Sequence, residues 1–462
     1  MYLKDAGVTM LYEELGLLIE KIGEFLWGWP LIIGIMCVSI VMTIAFGGIQ
    51  FRYFIRSWRY LLTPEVGTST KIEENYITPF QAFINALSAS LGNGSLVGMA
   101  TAMYSGGPGA GFWIFVLGFF LMSIRFAEVY ASTAFTEKQT SGIIRGGPMV
   151  YLARVPGGSW LPQFYAFFCL LLTFVTGNAM QCNSIKSGLV EMTAWNEYAI
   201  ALVMFIFLLY IMVGGARRIV RVSDAVTPLK VGLFFVATFL ALIYNVSSLW
   251  QALMIMTQHA FTQQAVHGAL LGYTMQTAMR FGIARSINAT EVGLGTSGII
   301  FGTTGAKNPV RSGIISLATT SISNFGVCFL LMWLFVATGA WQSGYGDIRM
   351  TIFAYETIFG TFGGWIVNIL SMMFGIGCVI AYAYIGRECW SFLTKGRYLF
   401  LYGLIFCLMA LFGALVEVRI LWKTIDIVNA GLIISNLYGL MWLMPEIQKG
   451  VRAFYVHDRK RN

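Results

Sequence analysis

The chain has 462 residues, of which 57% are hydrophobic and 11% charged, with a formal net charge of +9. A soluble domain carries about 25% charged residues, so a chain this apolar cannot cover a water-facing surface, and a soluble globular fold is excluded. The positive charge does not imply nucleic acid, because in a membrane protein Lys and Arg hold loops on the cytoplasmic side.

The N-terminal MYLKDAGVTMLYEELG is acidic and does not read as a cleaved signal. An amphipathic stretch near 12–27 precedes the first apolar run, at 29–51, and a second one bearing Arg52, Arg56 and Arg59 follows it. The next run, 80–104, is interrupted by Gly92-Asn93-Gly94-Ser95. Gly weakens a helix and Asn and Ser prefer caps to interiors. A broken helix at membrane depth is tolerated only when buried in protein or lining a cavity. Its freed N–H groups suit a carboxylate, and its freed carbonyls suit a cation. Close packing of helices through small residues gives the same spacing.

Further runs follow at 110–136, 160–185, 197–213 and 226–246. The first of these carries Arg125 and Glu128 near its end, at the i, i+3 spacing of a structural ion pair. The second carries Gln181 and Asn183, read either as substrate ligands or as ties between helices. The seventh run, 249–282, contains Thr262, Gln263, Gln264, His267 and Gly268 and is expected to break there. Polar groups at that depth are costly unless satisfied, by one another across helices or by a ligand. The last runs are 312–340, 363–386, 398–416 and 427–446. Many of the eleven reach the roughly 20 residues that cross about 30 Å of hydrocarbon. The seven Cys lie in or beside these runs without a CxxC pair and read as packing residues.

With the N-terminus outside, segments assigned to the cytoplasm hold 24 Lys and Arg and external ones hold 6. The bias implies an N-out, C-in all-α polytopic membrane protein. The two breaks lie five spans apart and so enter from opposite sides, as in an inverted five-plus-five repeat with its site at the breaks. The expected divisions are an external segment 1–28, an extra span and linker 29–79, repeats at 80–246 and 247–447, and a basic cytoplasmic tail 448–462. An enzyme is disfavoured: there is no HExxH or GxSxG, and GTTGAKN at 302–308 lacks P-loop spacing.

Five ordered blocks carry a resemblance. They are VGMATAMYSGGPGAGFW with RFAE at 125–128 and GGPMVYL at 146–152; GNAMQCNS at 177–184; FTQQAVHGALLGYTMQTAMRFGIAR at 261–285; TEVGLGT at 290–296; and NPVRSG at 308–313. Together they resemble the alanine/glycine:cation symporter family, also called sodium:alanine symporters. The resemblance implies a leucine-transporter-type fold working by alternating access in the cell membrane, the inner membrane of a Gram-negative cell. It implies a small neutral amino acid as substrate (alanine or glycine, L or D), no cofactor, and Na+ as the co-transported ion, with H+ or no ion as the alternative. A sensor or channel on the same scaffold is the rival reading. By position, the Asn93 and Gly94 amides, flanked by Gly92 and Ser95, would face the substrate carboxylate. The Ser88 and Leu91 carbonyls would face the cation. Gln181, Asn183 and the region of Thr262, Gln263, His267 and Gly268 would complete the pocket, and no partner beyond substrate, cation and membrane lipid is implied.

Four departures stand out. The family has Thr-Gly-Asn at Asn93-Gly94-Ser95 and Asn-Glu-Ala-Gly at Thr290-Glu291-Val292-Gly293. Its Ser-Thr pair of sodium-binding hydroxyls aligns with Gly377 and Cys378. An apolar residue two places after a proline is replaced by Lys230. The run 231–246 is only 16 residues long, so the span extends back past Lys230 unless the membrane thins. Lys230 is therefore expected to stand in for sodium. A lysine withdrawn from water releases its proton more readily, which would allow proton coupling. A lysine near a helix end also snorkels to the headgroups, and that reading stays open here.

Overall fold

A computed structural model describes residues 23, 25–63, 77–138, 144–193, 195–213, 215–261, 275–416 and 418–461. Helix α1 (Trp29–Ala45) leads to the amphipathic α2 (Phe54–Leu62). Tyr53 and Arg56 both reach Asp458, so the α2 region is tied to the far end of the chain. The first broken helix consists of α3 (Pro79–Ser90) and α4 (Val97–Gly106). Helix α3 starts where Pro79 supplies a preset φ and Thr78 and Gln81 exchange side-chain-to-backbone bonds at 3.1 and 3.0 Å. Then come α5 (Gly109–Ala134) and α6 (Leu161–Met192). They are followed by α7 (Glu197–Val213), α8 (Gly215–Tyr244) and α9 (Val246–Phe261). A short antiparallel ribbon, Glu137–Lys138 with Ile144–Arg145, lies between α5 and α6.

The second broken helix is α10 (Met275–Thr290) with α11 (Thr296–Phe301). The remaining helices are α12 (Pro309–Ala337), α13 (Ile348–Phe359), α14 (Thr361–Leu393), α15 (Leu399–Leu415) and α16 (Val418–Arg461). Among the described residues, six helices are long and apolar enough to cross a membrane, and α1, α7 and α15 are shorter apolar helices. Large apolar side chains such as Leu202, Ile206, Val236, Ile243, Phe412 and Trp442 are exposed, as they are where hydrocarbon replaces water. The chain is an all-α polytopic membrane protein.

The break expected at 262–272, with Thr262, Gln263, Gln264, His267 and Gly268, lies outside the described residues, as does most of the amphipathic stretch 12–27. The described parts of that region are the helices α9 and α10, and a further interruption, not expected, lies at the core at Glu291–Gly295. Residues 282–304, expected in a cytoplasmic loop, are buried. Hydropathy fails here because α10 carries Arg280, Arg285, Ser286 and Asn288, and the protein satisfies its buried polar groups: Arg285 pairs with Asp426 at 3.2 Å and Ser286 donates to Asn324 at 2.7 Å.

The two broken helices run side by side in opposite directions, α10 along α4 and α11 along α3. Helices α8 and α14 pack on α3 and on each other, so three elements converge just before the first break. Helix α6 contains a π-helical turn at Val175–Ala179 and α12 a longer one at Ser321–Phe329. Such turns rotate the following residues to a new face and occur often at functional sites. The second brings Asn324 onto the Ile114 carbonyl at 2.9 Å, beside Gly118, where a Cβ would stand 1.9 Å from the amide nitrogen.

Candidate functional site

The end of α3 leaves carbonyls without intrahelical partners, and in an apolar interior each must find a donor. Lys230 supplies it. Its side chain is fully buried, and Nζ donates to the Leu91 carbonyl at 2.8 Å and the Ser88 carbonyl at 3.1 Å, with Ser88 Oγ at 3.4 Å. The Phe374 ring lies 5.5 Å from the ammonium. Ser88 Oγ is itself committed to the Gly377 carbonyl at 2.9 Å, and Cys378 Sγ donates to the Ala89 carbonyl at 3.3 Å. Gly377 leaves the ammonium its room: a Cβ there would stand 2.6 Å from Nζ and 3.0 Å from Ser88 Oγ. Snorkelling does not describe this lysine, because its ammonium points into the protein. Five of the residues singled out from sequence, namely Ser88, Leu91, Lys230, Gly377 and Cys378, thus meet at one point.

Beyond the break lies a small, tight cavity. Its walls include Gly92 and Gly94 from the first break, Asn288 and Glu291 from the second, and Gln181 and Tyr382 from α6 and α14. The Asn93 N–H donates to Gln181 Oε1 at 2.7 Å, and Gln181 Nε2 donates to the Thr176 carbonyl at 2.9 Å. The Gly94 N–H has no partner among the described residues. Glycine is required at 92, where a Cβ would meet Cys378 Sγ at 2.7 Å and the Gln181 amide at 2.9 Å. Asn93 Nδ2 turns away to the Ser371 carbonyl at 3.1 Å, and Ser95 Oγ to the Ser90 carbonyl at 3.4 Å.

Asn183 is not on the cavity wall. Its Nδ2 donates to the carbonyls of Gly413 and Val416 at 3.0 and 2.7 Å, tying α6 to the end of α15. Residues two apart on a helix point about 200° away from each other, so Gln181 and Asn183 cannot both face the cavity. Arg125 and Glu128, near the end of α5, form the ion pair expected from their i, i+3 spacing. They are buried, 3.4 Å apart, and clamp the second break. Arg125 donates to the Thr290 carbonyl, and Glu128 accepts from the Gly295 N–H at 3.1 Å and from Asn436 at 2.7 Å. Asn436 also donates to the Gly293 carbonyl at 2.9 Å, and Tyr165 to the Leu294 carbonyl at 2.8 Å. The backbone of the second break is held by side chains, whereas the first is held at its end by an ammonium and a carboxamide.

Sequence reading missed Asn288, Glu291, Tyr382 and Trp422. Trp422 forms one wall of the cavity, and the Arg285 guanidinium lies 4.3 Å over its ring while pairing with Asp426. A signal for the second break was present: Gly293-Leu294-Gly295-Thr296 repeats the Gly-x-Gly-hydroxyl pattern of Gly92-Asn93-Gly94-Ser95.

Interrupted helices survive at membrane depth around a cavity, and a pair of them meeting at one is how secondary transporters build a substrate site. The molecule is a multi-pass membrane transporter, not an enzyme. Within that class the chain belongs to the sodium:alanine symporter family, whose profile matches residues 12–462. An uncharacterized transporter of Haemophilus influenzae is 29% identical over 441 residues, covering 95% of this chain and 96% of its own. The sodium/alanine symporter AgcS of Methanococcus maripaludis is 27% identical over 445 residues, 95% of this chain and 96% of its own. The probable sodium/glutamine symporter GlnT of Bacillus subtilis is 25% identical over 434 residues, 93% and 89% respectively.

Proposed function

We propose that this protein carries small neutral amino acids, alanine and glycine first, by alternating access, and that the Lys230 ammonium takes the place of the co-transported cation. The substrate class follows the family and the names of relatives, one a sodium/alanine and one a probable sodium/glutamine symporter. The cavity agrees in chemistry, with amides at a helix start for a carboxylate and, among the described residues, no Lys or Arg on its wall to hold an acidic side chain. The substrate carboxylate would take the Gly94 N–H and displace Gln181 Oε1 from the Asn93 N–H.

The observation that carries the second half is the ammonium on the Ser88 and Leu91 carbonyls at 3.1 and 2.8 Å. The family resemblance gives those two carbonyls to the cation, and a bound ion and Nζ cannot share them. The antiparallel pairing of the broken helices supports an inverted repeat of the leucine-transporter type, oriented N-out and C-in. The test is uptake of labelled alanine and glycine into proteoliposomes with sodium replaced by choline at fixed pH. Undiminished uptake in choline is expected. A separately imposed proton gradient then distinguishes proton coupling from sodium-free exchange. Strict sodium dependence of the unaltered protein would defeat the ammonium assignment while leaving the substrate class standing.

A further inference from the structure

Among the described residues, Glu291 is the only charged one on the cavity wall. It is buried at 1% exposure, and its Oε2 accepts from Thr296 Oγ1 at 2.6 Å. Three other acids turned into the protein each hold an arginine: Glu128 with Arg125 at 3.4 Å, Asp426 with Arg285 at 3.2 Å, and Glu388 with Arg145 at 3.8 Å. Among the described residues Glu291 has no Lys, Arg or His within 4.0 Å. A carboxylate removed from water without a cation is costly, so this one is incomplete until a positive group enters the cavity.

Its backbone strengthens the point. Glu291 follows the last residue of α10 with φ +58°, a left-handed conformation that glycine adopts freely and glutamate rarely does. Residues held this way gather at ligand clamps. The chain sets a carboxylate, at a position that favours glycine, on a wall that also holds Gly92 and Gly94 of the first break.

We propose that Glu291 receives the ammonium group of the substrate. The cavity then reads both ends of a zwitterion, with amides of the first break on the carboxylate and Glu291 on the amine. This rests on the reading of the cavity as an amino-acid site and narrows it: a free amine is as necessary as a free carboxylate. Hydroxy acids and N-acylated amino acids of the same size are excluded.

The experiment is displacement of labelled alanine from the full chain in proteoliposomes by alanine, lactate and N-acetylalanine. In the unaltered protein, lactate and N-acetylalanine should compete at least about tenfold more weakly than alanine, the scale of one charge-assisted hydrogen bond. Glu291→Gln should weaken alanine by a similar factor and narrow the gap between alanine and lactate. Lactate competing as well as alanine, or a Glu291→Gln variant that keeps the full gap, overturns the assignment. Should the variant fail to fold, the unaltered protein's competition series decides alone. A protein that binds no amino acid defeats the reading of the cavity itself, and this inference with it.

Discussion

The Asn93 N–H donates to Gln181 Oε1 at 2.7 Å, joining the first helix break to α6 just past its π-helical turn, across 88 positions of sequence. Gln181 thus holds the amide that a carboxylate would take. Gln181→Ala should tighten alanine binding by up to about tenfold, since it removes the carboxylate's competitor and strands the Asn93 N–H only in the empty protein, at roughly 1–3 kcal/mol. Gln181→Glu should abolish binding by setting a fixed anion where the carboxylate must sit. Asn183→Ala should instead lower thermal stability, because it frees two carbonyls at the end of α15, and leave affinity within about twofold in protein that folds, well inside the roughly 1.4 kcal/mol that a tenfold change requires. Calorimetric binding and melting of the three variants check this, and equal effects of Gln181→Ala and Asn183→Ala on affinity would contradict it.

The glycines of the first break separate in the same way. A Cβ on Gly94 meets only the Asn288 carbonyl at 3.6 Å, an ordinary contact, whereas one on Gly92 meets Cys378 Sγ at 2.7 Å. Gly92→Ala should therefore reduce folded yield. Gly94→Ala should fold and bind more weakly, and Gly94→Val should fold without measurable binding, its branches filling a small cavity. Normal alanine affinity in Gly94→Val would remove the first break from the carboxylate site.

The parts of this site legible in the sequence share one property: each breaks the apolar pattern around it. Gly92-Asn93-Gly94-Ser95 interrupts an otherwise continuous run, and Lys230 sits where the span needs its length. The interruption at Glu291–Gly295 went unread because α10 is polar enough to look like a loop. Its polarity is satisfied by α12 and α16, through Asn324 and Asp426, and contacts between such distant segments leave no local mark. Tyr382 and Trp422 look like any packing aromatics until the helices that carry them are brought together.

Arg285 also bears on orientation. The 24-to-6 division places Arg280 and Arg285 inside and Arg419 and Lys423 outside, yet Arg285 pairs with Asp426, in the first turns of α16 and close in sequence to the latter two. Moving both arginines leaves 22 positive residues inside and 8 outside, still a strong bias. A reporter fused after Asn462 should be cytoplasmic and one inserted near Asp347 external. An external C-terminus would sink the orientation and the repeat assignment that depends on it.

Lys230 and Gly377 are a matched pair, and exchanging both should change the driving ion. A Cβ on Gly377 would stand 2.6 Å from the Lys230 ammonium, so Gly377→Ser alone should push the ammonium off the Ser88 and Leu91 carbonyls. Uptake and stability should both fall. Lys230→Val alone strands the same two carbonyls in an apolar interior, at about 1–3 kcal/mol each, and should be inactive or nearly so. The triple variant Lys230→Val, Gly377→Ser, Cys378→Thr removes the fixed charge and adds two hydroxyls beside those carbonyls. These are hard oxygen ligands of the kind an alkali cation needs. It should regain uptake only when sodium is present, whereas the unaltered protein is expected to work equally in sodium and choline. The measurement is initial alanine uptake in proteoliposomes at fixed pH, with sodium titrated against choline. Recovery that ignores sodium, or no recovery in a folded triple variant, would show that the ammonium is a structural tie and not a substitute for the ion.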